Sequence, residues 1–367
     1  MKQIAVFGAG IAGSTFIRAM AAAPVEITLV DPKDYVEVPF ATLRALMDPE
    51  SFGRTVRRPI AQQFSVDHIQ VKLAELRESS ALLDDGREVT FDYAVLATGS
   101  TIRGFDALKV AELSTQAERE AEWVAAHDRL SAAQNVVIVG GGPIGVELAG
   151  EITAAYPGKR VTLIHASDRL LPALGKGASR KAQRVLEQHG VRVVLGQKAT
   201  VEAGGHSVRL TSGETLPADV AYVATGIAID TSYLEAAFPD ALNAVRQAKV
   251  DRYLRLAGSE RIFALGDIND VPGIKLGAFA ARQAKLTAKN IAALLENRPL
   301  KAFKPMTGTV GLVTLGRKGG IAQLPFGRFD PLIATKQKDL FVSRPDLSPM
   351  ASHHDASGST NGGGYDP

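Results

Sequence analysis

The sequence contains no cysteine. That absence excludes disulfides, thiolate zinc sites, cysteine-held iron–sulfur clusters and every cysteine nucleophile. Long apolar runs are missing too. No uncharged stretch approaches the ~18 residues that a membrane helix needs, and the nearest candidate, residues 305–316, is short and broken by glycine. An excess of charge is also lacking, since 42 Lys/Arg against 39 Asp/Glu leave a net +3. The first 300 residues sum to zero, which excludes the basic footprint of a nucleic-acid-binding protein. The seven histidines show no ligand spacing, and His353-His354 fall in a Ser/Gly-rich end, so no metal site is expected. The opening MKQIAVFGAG runs straight into an apolar strand pattern. The expectation is therefore a cytoplasmic chain without signal or transit peptide.

What is present is organised as a repeat. At about 150 residues per domain, 367 residues make two domains with an appendage. The composition, 46% hydrophobic and 22% charged, is that of a globular protein. Thirty-five glycines cluster at a few places. The segment from Ile4 to Phe7 reads as a strand, Gly8-Ala9-Gly10-Ile11-Ala12-Gly13 as a turn, Ser14–Ala23 as a helix and Glu26–Val30 as a second strand ending at Asp31. A β-rich stretch from His68 to Leu83 turns at Asp84-Asp85-Gly86. A strand from Tyr93 to Leu96 then ends in Ala97-Thr98-Gly99. The same order returns 132 residues later. Asn135–Val139, Gly140-Gly141-Gly142-Pro143-Ile144-Gly145, a helix Val146–Ala155, a strand Arg160–Ile164, and a strand Val220–Val223 ending in Ala224-Thr225-Gly226 repeat the unit. A short strand at 261–267 ends in Gly266-Asp267, and a helix is expected over Gly277–Glu296.

Each glycine loop has a mechanical reading. Between strand and helix, the first glycine of GxGxxG makes the tight turn and the second admits a pyrophosphate to the backbone. The third lets helix pack on strand, and the helix N-terminus faces the negative charge. Gly8, Gly10 and Gly13 meet this context, and Asp31 lies 23 residues beyond Gly8, near the ~20 expected for a carboxylate on a ribose hydroxyl. Gly140, Gly142 and Gly145 meet it too, but the second strand there ends at His165, with Arg169 just beyond. A neutral or cationic group tolerates a 2′-phosphate better than an acid does. His165 is therefore read either as a site residue admitting NADPH beside NADH or as an idle solvent-facing side chain. Two dinucleotide loops in one chain imply a bound flavin and a nicotinamide co-substrate, between which hydride passes.

Together these motifs resemble the two-dinucleotide-binding flavoproteins, the pyridine nucleotide–disulfide oxidoreductase superfamily, over residues 2–300. The resemblance implies an α/β fold of two Rossmann-like dinucleotide-binding domains of the glutathione-reductase type, one inserted in the other, plus a short C-terminal β-rich segment. It implies an FAD-binding domain at 1–106 and 247–300 and an NAD(P)H-binding domain at 107–246; charge and composition add a basic cap segment at 301–345 and a disordered tail at 346–367. It also implies that the first loop binds FAD with Thr98 and Gly99 nearby, that Asp267 reaches the FAD ribitol, and that Gly226 belongs to the NAD(P)H half. Glu147 matches a glutamate near the nicotinamide–flavin junction, beside the plainer reading of a carboxylate compensating a helix dipole. The disulfide-reducing members need a cysteine pair, which this chain lacks.

Val146-Glu147-Leu148-Ala149-Gly150-Glu151, Val161–His165, Arg298–Pro305 and Thr335–Phe341 resemble the AIF-like branch. Within it they are most similar to the ferroptosis-suppressor group of FAD-dependent NAD(P)H:quinone reductases. There Lys336 matches a lysine near the active site, which would stabilise reduced flavin or a quinone oxygen; a solvated surface lysine is the alternative. The glycine needed for N-terminal myristoylation is absent, because Lys2 follows Met1. The expected acceptor is a small molecule of the quinone type. A small electron-carrier protein, or a slow redox-sensing role, are the alternative functions. Residues 301–345 carry a net +6 with Phe303, Phe326, Phe329 and Phe341 interleaved. Contact with a membrane surface and a solvated rim both account for that pattern. Lys33 and Asp34 either reach the flavin edge or pair with each other, and Pro39-Phe40 either flank the flavin or pack in the core.

Overall fold

The computed structural model describes residues 1–102, 104–105, 108, 114–306, 311–317, 319–324 and 327–329. Lys336, the remainder of the basic segment and the expected tail at 346–367 lie outside the described residues.

Two parallel sheets organise the molecule. In the first, the strands run in the spatial order Ile262–Ala264, Tyr93–Leu96, Lys2–Phe7, Val25–Val30, Asp67–Ile69. The second has the order Arg192–Leu195, Arg160–His165, Asn135–Val139, Val220–Val223. In each, the strand preceding a glycine loop is central, and its apolar residues are buried on both faces, as parallel strands require. The helix Ile11–Met20 follows the first loop and packs on Gly277–Leu295, the helix after the Gly266-Asp267 strand. Alanines at 12, 280, 284 and 288 line the apolar core and permit the close approach. The helix Pro143–Ala155 follows the second loop and begins with proline, which suits a first turn whose amide has no partner.

The duplication extends further than the glycine loops. Leu73–Leu76, Ser80–Leu83 and Glu88–Thr90 form an antiparallel meander, and Ala199–Val201, Ser207–Leu210 and Thr215–Pro217 form its counterpart. The chain crosses between the halves as a pair of short strands, Thr101–Ile102 against Ile227–Ala228. The return to the first half comes before residue 247. Tyr233, Leu234, Phe238 and Ala241 are buried in one apolar cluster with Ala5, Phe7 and Ala94 of the first sheet.

Between the first two β–α units lie elements whose local signals are caps. The helix Pro49–Val56 starts at Asp48, whose side chain accepts the Ser51 amide at 3.1 Å. The helix Gln116–Ala132 starts with a capping box of Thr115 and Glu118. Arg44, on the helix Thr42–Met47, forms a buried ion pair with Glu151 of Pro143–Ala155 at 3.0 Å. The C-terminal strands Gly311–Thr314, Gly320–Leu324 and Gly327–Phe329 form an antiparallel sheet. Its backbone lies on the same helix, where a Cβ on Gly150 would stand 2.7 Å from the Gly316 nitrogen.

Candidate dinucleotide site

The two glycine loops repeat one another in their steric detail. Gly8 has φ +103° and Gly140 φ +123°, and a Cβ would strike the carbonyl oxygen of Ala97 at 2.4 Å or of Ala224 at 2.3 Å. At Gly13 and Gly145, a Cβ would lie 1.8 Å from the carbonyl oxygen of Gly8 and of Gly140 respectively. At Gly10 and Gly142, by contrast, it would meet no protein atom within 4 Å. The outer glycines are thus required by the fold itself. The middle ones leave open the backbone approach that a pyrophosphate needs at a helix N-terminus.

Both middle glycines open on the same cavity of about 1110 Å³. Gly8, Gly10, Asp31, Lys33, Thr98, Gly99, Gly266 and Asp267 line one end, and Gly140, Gly142, His165 and Gly226 the other, with Glu147 also on the wall. Gly13 and Gly145 stand behind the loops and do not line it.

Polar partners fix several of these groups. Asp31, 2 % exposed, accepts the Ala9 amide at 2.6 Å, the Lys33 amide at 2.9 Å and the Lys33 ammonium at 2.8 Å. Lys33 therefore pairs with Asp31 rather than with Asp34, whose carboxylate accepts the Gln116 amide at 2.8 Å. Asp267 accepts the Ser100 hydroxyl at 2.6 Å, and Thr98 shares a hydrogen bond of 2.9 Å with the Tyr233 hydroxyl. Pro39 and the half-buried Phe40 line the cavity.

His165 is not an idle surface residue. Its Nδ1 accepts the Gly141 amide at 3.1 Å, and burial holds its pKa below the usual 6.5. It therefore supports the second loop as a neutral acceptor, where Asp31 supports the first as an anion. Arg169 corrects the expectation placed on it. Its guanidinium donates to the carbonyl oxygens of Leu174 at 2.8 Å and Pro172 at 2.6 Å, and it does not line the cavity.

Several lining residues had no sequence signal. Lys275 precedes the helix Gly277–Leu295, and its ammonium donates to the carbonyl oxygens of Asn269 at 2.6 Å and Val271 at 3.2 Å. Burial lowers its pKa from the ordinary lysine value. Behind it, Gln283 accepts both the Gly266 amide at 2.7 Å and the Asn269 side-chain amide at 2.9 Å, which fixes the Gly-Asp turn. Glu37 bridges two buried arginines, Arg57 at 2.9 Å and Arg119 at 3.2 Å, both stacked near Trp123. Thr314 and Leu312 bring the C-terminal sheet to the cavity wall. Long-range folding alone assembles these groups. Among the described residues no cluster of His, Asp and Glu could hold a metal.

A family model described as pyridine nucleotide-disulphide oxidoreductase matches residues 2–284. The chain belongs to this family. It is 30% identical over 361 residues to ferroptosis suppressor protein 1 of Homo sapiens, covering 93% of this chain and 94% of that protein. Among solved structures, the sulfide:quinone oxidoreductase from Aquifex aeolicus superimposes with a TM-score of 0.77 at 17% identity, over 94% and 90% of the two chains. NDH2 from Plasmodium falciparum, solved in complex with NADH, gives 0.76 at 15% identity, over 95% of each. Those two establish the fold alone.

The protein is an NAD(P)H-dependent flavin oxidoreductase whose cofactors are FAD and a nicotinamide nucleotide. The open space at Gly10 and Gly142 fits both, since each middle glycine presents bare backbone to the shared cavity. The family's cysteine-dependent disulfide chemistry is excluded by the sequence. No helix among the described residues is long and apolar enough to cross a membrane.

Proposed function

We propose that this protein passes the reducing equivalents of NAD(P)H through FAD to a small quinone-type acceptor. The observation that carries the reading is the single cavity joining both glycine loops, with no thiol in the chain to take the electrons onward. The FAD supplies the two-electron relay between nucleotide and acceptor. The chain's own residues bind and orient. Gly10 and the start of Ile11–Met20 would hold the flavin pyrophosphate, with Asp267 near its ribitol. Gly142 and the start of Pro143–Ala155 would hold the nucleotide pyrophosphate. Glu147, on the helix after the second loop, would set the nicotinamide at the junction of the two halves. Holding the reacting rings in one geometry supplies the main acceleration. The quinone is carried over from the sequence resemblance to NAD(P)H:quinone reductases, and the sulfide:quinone oxidoreductase of the same fold names a quinone among its substrates.

Anaerobic titration tests this directly. NADH or NADPH should bleach the flavin absorbance of the purified protein, and a soluble quinone should restore it. A flavin that bleaches but is reoxidised only by a protein carrier would replace the quinone with that carrier. Peripheral contact of residues 301–345 with an anionic bilayer would bring the site to a lipid-dissolved quinone. Co-sedimentation with anionic vesicles examines that part separately.

A further inference from the structure

We propose that the second loop selects the 2′-phosphorylated nucleotide, NADPH over NADH, and that Lys198 is the residue that selects it. The inference rests on reading that loop as the nicotinamide-nucleotide site. In doubly wound folds the adenosine ribose lies beyond the C-terminal ends of the first two strands, where an acid that accepts its hydroxyls favours the unphosphorylated form. Here the rim is formed by Ile164, His165 and Ala166 at the end of the second strand and by Gln197, Lys198 and Ala199 just past the adjacent strand Arg192–Leu195, all lining the cavity.

No residue of that rim is a carboxylate. His165 occupies the place of the acid, and its Nδ1 is committed to the Gly141 amide. Gln197 is held beside it by its own amide, which donates to the His165 carbonyl oxygen at 3.1 Å. The Gln197 side-chain oxygen is turned to the neighbouring hairpin, accepting the Thr211 hydroxyl at 2.7 Å and the Ser212 amide at 2.9 Å. Lys198 is exposed on the cavity wall, and its ammonium has no ion-pair or hydrogen-bond partner among the described residues. Arg169, the other nearby cation, is spent on backbone carbonyls.

The first half of the duplication supplies the contrast. At the corresponding place it has the buried carboxylate Asp31, compensated by Lys33. The repeat has thus diverged at one position of each unit, from an anion to a neutral acceptor flanked by a free cation. A dianionic 2′-phosphate meets no repulsion at the second rim and gains a charge-assisted hydrogen bond from Lys198.

The experiment is isothermal titration of the FAD-loaded protein with NADP⁺ and with NAD⁺, for the natural chain, Lys198→Gln and Lys198→Glu. The natural chain should bind NADP⁺ about ten-fold more tightly, as one charge-assisted contact supplies, and the preference should shrink as salt is raised. Lys198→Gln should bring the two nucleotides to equal affinity, and Lys198→Glu should reverse their order. Equal or tighter binding of NAD⁺ by the natural chain, or equal loss for both nucleotides in Lys198→Gln, overturns the proposal and leaves the function above standing. Failure of the FAD-loaded protein to bind either nucleotide overturns both.

Discussion

Thr314 donates two hydrogen bonds to a single oxygen of Glu147, one from its backbone amide and one from its hydroxyl, each 2.9 Å long. Glu147 sits on the helix that follows the second loop, and Thr314 on a strand beyond the residues matched by the family model. The C-terminal sheet therefore fixes a carboxylate of the cavity wall.

That tether gives the first prediction. Thr314→Val removes the hydroxyl bond and keeps the backbone bond. Turnover with a nicotinamide nucleotide should fall about ten-fold in kcat/KM, the effect of one hydrogen bond to a charged group. Thr314→Ser should restore it, and Thr314→Val should remain folded with an unfolding temperature lowered by no more than the loss of that one buried hydrogen bond. If Thr314→Val matches the natural chain in kcat, KM and nucleotide affinity, the hydroxyl plays no positioning role.

The paired loops predict a separable effect. A Cβ at Gly10 or Gly142 meets nothing in the protein, so Gly10→Ala and Gly142→Ala should fold. Gly10→Ala should purify with little FAD, read from flavin absorbance per chain. Gly142→Ala should keep its FAD and lose nucleotide affinity, read by calorimetry. Gly145→Ala should do worse than either, because its Cβ would stand 1.8 Å from a backbone oxygen. Equal FAD content in Gly10→Ala and Gly142→Ala would show that the loops are not specialised.

The buried pair Arg44–Glu151, each 1 % exposed, ties the helix Thr42–Met47 to the helix of the second loop. Removing one member of a buried ion pair costs ~3–5 kcal/mol. Glu151→Leu should therefore lower the unfolding temperature sharply, while Arg44→Met with Glu151→Leu should recover most of the loss. A double variant no more stable than Glu151→Leu would mean that the pair contributes mainly through packing.

Much of this architecture was legible in the chain. The duplicated strand–glycine–helix–strand order was visible because parallel strands are short apolar runs and glycine is obligatory where φ is positive or backbones touch. Tyr93–Leu96, Asn135–Val139 and Val220–Val223 were read with the bounds the structure has. The helices between residues 42 and 63 were not read, being short and started by caps and prolines rather than by a long period. Nor were Gln116–Ala132 and Lys176–Gln188, although each is long enough to carry a helical period. In the site, Gly8, Gly13, Gly140 and Gly145 were legible because local geometry demands them, whereas Asp267 was expected only from the family resemblance. Thr314, Lys275 and Lys198 were not legible, because each gains its role only when distant segments meet. Arg169 misled for the same reason, since sequence shows a charge but not the carbonyls that occupy it.

The last prediction concerns acid. The His165 ring accepts the Gly141 amide at Nδ1, so its proton resides on Nε2, which is buried without a partner among the described residues. Protonating Nδ1 would set a donor against a donor, and burial already disfavours the cation. The folded chain therefore takes up this proton at lower pH than the unfolded chain, whose histidine titrates near 6.5. The contribution to stability is complete above pH ~6.5 and is lost as pH falls from there through the depressed value of the folded state. His165→Asn replaces the ring by an amide oxygen able to accept from Gly141 and unable to titrate. Between pH 7 and about 5, the unfolding temperature of the natural chain should fall more steeply than that of His165→Asn, with parallel behaviour above pH 7. His68 and His127 are common to both chains and cancel in the difference. Parallel curves across the whole range would mean that the Gly141 contact does not depend on the charge of the ring.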